Sequence, residues 1–239
     1  MKKFKLPIIL ITLAILAIIC GVIYFNLTYK TRDEKWNEEV SNLESITKKS
    51  DDNSFLMSII YKNDVSEDGI TLEGKVLRGT VNVDDTISLI GVADTKEVKV
   101  EKILNDSNEE VESATKDDRI NVLISGISDK SIKPGQVLAK KDSIEAHKEF
   151  IAEIYILSKD EGGVDISFKK DDFLDFYIRT SSFVGKVEKI KESSKVKPGS
   201  SATIKVKLNT AVAIEEGTTF VIRKDSQTMG AGEITKVIK

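Results

Sequence analysis

The sequence holds one cysteine, Cys20, and one histidine, His147, among its 239 residues. A single histidine excludes a site that needs two histidine ligands, and no cysteine lies near it in the chain to form a catalytic pair. We therefore predict no catalytic residue, no cofactor and no metal site, and interpret His147 as a linker or surface residue. Beyond the region of Cys20 the chain has no cysteine at all, which suits an oxidising exterior.

Basic residues are not in excess either, since the sequence contains 36 Lys and Arg and 39 Asp and Glu. Setting aside Lys2, Lys3 and Lys5 leaves 33 basic residues (36 less these three) and a net charge of about −6 for the remainder. An acidic surface repels a phosphate backbone unless its basic residues are concentrated on one face. Nucleic acid is therefore not an expected partner.

Paired carboxylates do not indicate acid–base chemistry. Glu215 and Glu216, like Asp117 and Asp118, are direct neighbours, so they point to opposite faces of a strand or lie in a solvated turn. A calcium site in the acidic segment 106–118 is not favoured, because the spacing is not that of an EF-hand loop.

One long hydrophobic run is present, because the 22 residues from Leu6 to Leu27 contain no charge. As a helix they would span about 33 Å, enough to cross a bilayer. A cleaved signal peptide is the alternative, but the run is too long for one and lacks an Ala-x-Ala site. We predict a basic tail at 1–5 and a transmembrane helix at 6–28. The short basic tail favours a single-pass protein of the bacterial cell membrane with its large domain outside the cytoplasm.

Apolar residues recur after this run at helical spacing, at Trp36, Val40, Leu43 and Ile46. The pattern predicts a short helical stalk over 29–51. A dimeric coiled coil would need three or four heptads, and this segment has fewer than two.

From residue 52 onward, short β-branched segments alternate between apolar and polar residues and are separated by turn residues. The alternation in 95–103 and 202–208 predicts strands with one buried face. Lys-Pro-Gly turns occur at 133–135 and 197–199, in similar places of two halves. Regularly spaced strands without helices between them predict an all-β fold of two consecutive antiparallel β-barrels, with the junction near 141–143.

The segment "GITLEGKV", Gly69 to Val76, has glycine and lysine at nearly the spacing of a nucleotide-binding P-loop. A P-loop needs a Ser or Thr after the lysine to bind magnesium, and Val76 occupies that position. Ile70, Thr71 and Leu72 favour extended backbone, so the segment is predicted to be a strand rather than a phosphate-binding loop.

Six segments together resemble the second and third domains of bacterial elongation factor Tu. They are "GQVLAK" (135–140), "HKEF" (147–150), "ILSKDEGG" (156–163), "FYIRT" (176–180), "AIEEG" (213–217) and "GAGEITKVIK" (230–239). The resemblance runs in unbroken order and implies a domain 2-like β-barrel at 52–142 and a domain 3-like β-barrel at 143–239. The family's GTP-binding domain would precede Phe55, where this chain has the predicted span and stalk, so neither GTP binding nor GTPase activity is expected.

The sequence departs from the family where aminoacyl-tRNA would bind. Val164 and Asp165 replace an arginine and a histidine of the family, 171–175 is acidic where the family has Gly-Tyr-Arg-Pro-Gln, and 226–228 lacks the arginine of Gly-Arg-Thr. The segment 105–118 carries six acids and one lysine. Each lost phosphate contact weakens binding, so we expect that tRNA binding is lost.

Two functions are compatible with the sequence. The first is a membrane-anchored, non-enzymatic module that binds an unidentified protein partner and has lost GTP and aminoacyl-tRNA. The alternative is a translation-associated protein on the cytoplasmic face of the membrane, which engages elongation factor or ribosomal partners or retains weak tRNA binding. No group of residues supports an enzyme.

Overall fold

The computed structural model describes residues 53–238. Within this range the chain forms seventeen β-strands and two single-turn 3-10 helices, Asp129–Ser131 and Lys159–Glu161. The strands of the first half are β1 Leu56–Ser66, β2 Gly69–Arg78, β3 Thr80–Asn82, β4 Thr86–Gly91, β5 Ala93–Leu104, β6 Glu110–Val111, β7 Ser113–Thr115, β8 Arg119–Ser125 and β9 Val137–Ala139. Those of the second half are β10 Ala146–Ile156, β11 Phe168–Lys169, β12 Phe173–Ile178, β13 Ser181–Ile190, β14 Lys195–Val196, β15 Ser200–Ala213, β16 Thr219–Lys224 and β17 Gln227–Ile238.

The predicted fold class was wrong in its helical part. Residues 53–238 are all-β apart from the two 3-10 turns, and no helix in this range has the length and apolar character needed to cross a membrane. The reason is that apolar residues here alternate with polar ones at strand spacing, which builds sheets. The basic tail 1–5, the transmembrane helix 6–28 and the helical stalk 29–51 were placed on residues that lie outside those described.

The first half forms an antiparallel sheet in the order β4-β9-β1-β2-β8-β5-β6, which we call the N-terminal sheet. Strand β5 also pairs with β4, so that six of the seven strands form a ring of pairings. The segment that resembles a P-loop lies in β2, as predicted, and pairs with both β1 and β8. The backbone N–H and C=O groups of this segment therefore pair with neighbouring strands and do not form a phosphate-binding loop.

The second half forms a closed barrel in the order β10-β15-β13-β12-β16-β17, which we call the C-terminal barrel. Its closure comes from β10, which pairs with β15 on one side and β17 on the other. The predicted alternation is confirmed, since Ile204, Val206 and Leu208 of β15 all face the core.

Three aromatic rings fill the centre of the C-terminal barrel. Phe150, Phe176 and Phe220 contact one another with ring centroids 5.5 to 5.9 Å apart, in edge or tilted arrangements that suit aromatic quadrupoles. The backbone must approach these rings closely at Gly185, where a Cβ atom would lie 2.8 Å from a ring carbon of Phe176. Glycine at this position therefore lets the strand close over the aromatic cluster.

Candidate functional site

Two of the segments that replace tRNA-binding positions meet at one end of the C-terminal barrel. Asp171 and Asp172 lie in the turn before β12, and Ser226 lies in the hairpin between β16 and β17, beside β12. The acids are paired with lysines: Asp171 with Lys186 at 2.7 Å and Asp172 with Lys224 at 4.0 Å. A hydrogen bond from Lys186 lowers the pKa of Asp171. These lysines therefore already have carboxylate partners.

The acidic segment 105–118 is held by local contacts. Asp117 forms an ion pair with Lys75 at 2.9 Å, and the Asp118 carboxylate accepts a hydrogen bond from the backbone N–H of Thr115 at 2.7 Å. Within residues 53–238 no group of three or more metal-ligating side chains converges. Asp118 thus closes its own turn, whereas Asp117 ties the segment to β2.

His147 was interpreted as a linker or surface residue, and the structure corrects this. It lies in β10 opposite Val212, with 12% of its side chain exposed, and its Nε2 is 3.9 Å from the Glu145 carboxylate. His147 is therefore part of the barrel wall rather than of a linker.

Glu215 and Glu216 were expected to point to opposite faces of a strand or to lie in a solvated turn; Glu216 is exposed, whereas Glu215 is partly buried. Its carboxylate accepts two hydrogen bonds from Arg78 Nη1, at 2.6 and 2.8 Å, and its side chain is 21% exposed. Arg78 is the last residue of β2, so the pair joins the N-terminal sheet to the C-terminal barrel. We call the contacts between these two parts the junction; both belong to one compact unit of the described chain.

Other junction contacts surround this ion pair. Thr180 Oγ1 donates to the Ile59 carbonyl at 2.8 Å, and the Val92 amide donates to the Ala211 carbonyl at 2.7 Å. An apolar cluster from both parts packs beneath them; its buried members are Leu56, Ile90, Val137, Ala139, Ile144 and Ala213. Apolar packing and polar contacts together fix the two parts against each other.

Exposed apolar side chains concentrate on the outside of the C-terminal barrel. Tyr155 of β10 pairs with Ala231 of β17, Ala231 with Val221 of β16, and Val221 with Tyr177 of β12. These four residues, the tyrosine row, therefore lie side by side across four strands. The two tyrosines and the valine are each 38 to 39% exposed.

The segment "ILSKDEGG" positions one end of this row. Glu161 closes the 3-10 turn by accepting hydrogen bonds from the backbone N–H and the hydroxyl of Ser158, at 2.8 and 2.7 Å. The same carboxylate accepts the Tyr155 hydroxyl at 2.8 Å. Gly162 ends the turn with φ 84°, a left-handed conformation that favours glycine. Local turn chemistry thus orients Tyr155.

Next to the tyrosine row lie two carboxylates directly opposite each other. Glu153 of β10 pairs with Glu233 of β17, two residues from Tyr155 and Ala231 on the same outer face. Both are exposed, and neither forms an ion pair with another residue of 53–238. Like charges in this position destabilise a sheet. We call these two residues the glutamate pair.

Residues 143–238 match the family model described as the elongation factor Tu C-terminal domain. The match covers all six strands of the C-terminal barrel and the separate pair β11 and β14. This barrel is therefore an elongation factor Tu-like β-domain.

The tyrosine row and the Arg78–Glu215 pair were both missed from the sequence. Tyr155 and Tyr177 alternate with the buried residues Ile154, Ile156, Phe176 and Ile178, so their outward direction was readable from the strand pattern. The ion pair had no such signal, because its partners are 137 positions apart.

Proposed function

We propose that this protein is a non-enzymatic protein-binding module, which engages its partner through the tyrosine row and the adjacent glutamate pair of the C-terminal barrel. The observation that carries the proposal is the placement of exposed Tyr155, Val221 and Tyr177 beside Glu153 and Glu233 on one barrel face. Tyrosine is enriched where protein surfaces bind, because it buries a large apolar ring while its hydroxyl stays hydrogen-bonded.

The glutamate pair defines the chemistry of the partner. Two exposed carboxylates face each other without a compensating cation in the described chain, so a partner that brings lysine or arginine relieves their repulsion. An apolar side chain of the same partner covers Val221 between the two tyrosines. The partner is thus a protein segment with an apolar centre and a basic flank.

The same proposal includes the loss of GTP and aminoacyl-tRNA binding. The pairing of Asp171 and Asp172 with lysines supports it, because those lysines are not free to contact phosphates. Arg223 Nη2 donates to the Ser226 carbonyl at 2.6 Å, which supports the same conclusion for the hairpin. The position of Gly69–Val76 within β2 supports the absence of a phosphate-binding loop in that segment.

We also propose that residues 6–28 attach the protein to the bacterial cell membrane, with residues 53–238 outside the cytoplasm. The support is the 22-residue uncharged run with Lys2, Lys3 and Lys5 directly ahead of it. The alternative, a translation-associated protein facing the cytoplasm, has its support in the match to the elongation factor Tu C-terminal domain. Protease treatment of intact cells separates the two: digestion of 53–238 with cytoplasmic controls preserved excludes a role in translation.

Site-specific photocrosslinking in living cells tests the binding face. A benzophenone amino acid replaces Tyr177 in one variant and Tyr61 in the control, which lies in β1 and is 61% exposed. A discrete crosslinked species is expected from position 177 and not from 61. The species should decrease when Glu153→Gln and Glu233→Gln are added. Equal crosslinking at both positions, or no effect of the two glutamine substitutions, would contradict the proposal.

A further inference from the structure

A cavity of about 680 Å³ opens at the junction, and the proposed binding face does not use it. Its wall combines Leu56, Leu77 and Lys116 of the first half with Arg179 and Thr218 of the second. This volume is in the range of small-molecule sites, and such sites often lie where two structural parts meet. The mixture of an apolar wall with a few charged groups is also typical of them.

The cavity is lined by three cationic side chains and two carboxylates, Glu215 and Glu216, so one positive charge is in excess. Arg78 and Glu215 neutralise each other through their two hydrogen bonds. The guanidinium of Arg179 donates through Nη1 to the Ala213 carbonyl, which is a neutral acceptor. Within residues 53–238 no carboxylate forms an ion pair with Arg179. Its positive charge therefore lacks a partner of its own beside the cavity.

The surroundings of Arg179 support this description. Burial lowers the pKa of Arg179, the nearby Arg78 lowers it further, and the Glu215 carboxylate opposes both effects. Arginine nevertheless remains charged in proteins at neutral pH. The buried guanidinium of Arg179 shares the Glu215 carboxylate with Arg78. An additional anion would therefore stabilise its positive charge.

Lys116 adds a second cation to the cavity wall, from the first half of the chain. It lies in the turn that follows β7, and its side chain belongs to the cavity wall without an ion pair in the described part of the chain. Arg179 and Lys116 come from different halves of the protein, so an anion that contacted both would link the two halves. Leu56 and Leu77 provide an apolar wall beside it.

We propose that the junction cavity binds a small anionic molecule, whose carboxylate or phosphate group contacts Arg179 and Lys116 and whose apolar part lies against Leu56 and Leu77. The planar guanidinium suits either oxyanion, because its N–H groups form parallel charge-assisted hydrogen bonds. The hydroxyl groups of Thr218 and Thr219, which also line the cavity, accommodate further polar atoms of the molecule.

Isothermal titration calorimetry of the full chain in detergent tests this site with three probes: phenyl phosphate, benzoate and inorganic phosphate. One-to-one binding of phenyl phosphate or benzoate is expected. Tighter binding of phenyl phosphate indicates a phosphate ligand, and tighter binding of benzoate indicates a carboxylate ligand. Inorganic phosphate should bind more weakly than phenyl phosphate, because it cannot use the apolar wall.

Two variants and a control make the test specific. Arg179→Gln should weaken binding about tenfold or more, since a charge-assisted hydrogen bond is lost. Lys116→Gln should weaken it severalfold and leaves the packed junction intact. Arg119→Gln is the control, because Arg119 pairs with the Glu73 carboxylate on the surface; it should leave affinity unchanged. No saturable binding of any probe, or unchanged affinity in folded Arg179→Gln and Lys116→Gln, would overturn the proposal.

Discussion

The Tyr155 hydroxyl donates one bifurcated hydrogen bond to the two carboxylate oxygens of Glu161, at 3.0 and 2.8 Å. The same carboxylate closes the 3-10 turn at Ser158, so one ionised group fixes both the turn and one end of the tyrosine row. The arrangement needs Glu161 in its charged form, because a carboxylate accepts hydrogen bonds at both oxygens whereas a carboxylic acid keeps one proton.

We expect the contribution of Glu161 to stability to depend on pH. Hydrogen bonds from Ser158 and Tyr155 lower the pKa of Glu161. A carboxyl whose pKa is depressed in the folded state stabilises the fold above its unfolded pKa, about 4.3, and loses that contribution as the pH falls through the folded pKa. Thermal unfolding of wild type and Glu161→Gln should therefore differ at pH 7, and the difference should shrink as the pH falls below the unfolded pKa and through the folded pKa. A difference that stays constant down to acid pH would show that the charge has no part in it.

Gly185→Ala should destabilise the C-terminal barrel. The added Cβ would lie 2.8 Å from a ring carbon of Phe176 and 2.9 Å from a methyl carbon of Val206, in a core without space to relax. Overpacking of this kind costs about 1 to 3 kcal/mol, which denaturant unfolding measures. Ser182→Ala, at an exposed position of the same strand, is the control and should change stability by less than about 0.5 kcal/mol. Equal effects of the two substitutions would be inconsistent with close packing at Gly185.

Breaking the junction ion pair should be costly. Glu215→Gln leaves the Arg78 guanidinium, whose side chain is 11% exposed, without its carboxylate. Loss of one partner from a largely buried pair costs about 2 to 5 kcal/mol. Arg78→Met combined with Glu215→Leu should recover part of this loss, since no unpaired charge remains. Glu73→Gln, at the exposed pair with Arg119, is the matched control and should cost less than about 1 kcal/mol.

The glutamate pair should oppose folding at low salt. Replacing Glu153 by glutamine removes a like charge opposite Glu233, which should raise stability by about 0.2 to 1 kcal/mol. High salt screens exposed charges, so the gain should shrink there. Glu97→Gln is the control, because Glu97 forms an ion pair with Lys141 instead of facing a like charge. This substitution should lower stability slightly. A loss of stability in Glu153→Gln would contradict the assignment of repulsion.

Aminoacyl-tRNA is expected not to bind. Filter binding of labelled aminoacyl-tRNA to the full chain at low salt measures this directly, where electrostatic contacts are strongest. Saturable binding with a dissociation constant in the micromolar range would contradict the proposed loss of function. If binding occurred, the decrease of affinity with salt concentration would give the number of phosphate contacts that remain.

Strand positions were readable from the sequence because each strand carries its own pattern. The alternation around Ile204 and Val206 predicted their buried face, and the β-branched residues of "GITLEGKV" predicted a strand where glycine spacing alone suggested a phosphate loop. The six segments that resemble elongation factor Tu predicted its second and third domains; the match at 143–238 confirms the third, and the second stays a prediction. These features are local, so a single sequence contains them.

Contacts between distant segments were decided by the tertiary structure. The tyrosine row joins four strands, and only the order β10-β17-β16-β12 brings Tyr155 and Tyr177 onto one face. Arg78 meets Glu215 because two closed strand systems pack against each other, and no periodicity in the chain encodes which loop faces which. The sequence by itself determined which residues face inward along each strand. Strand order within the barrel decided which outward residues became neighbours in the tyrosine row, and the packing of the two halves formed the junction cavity.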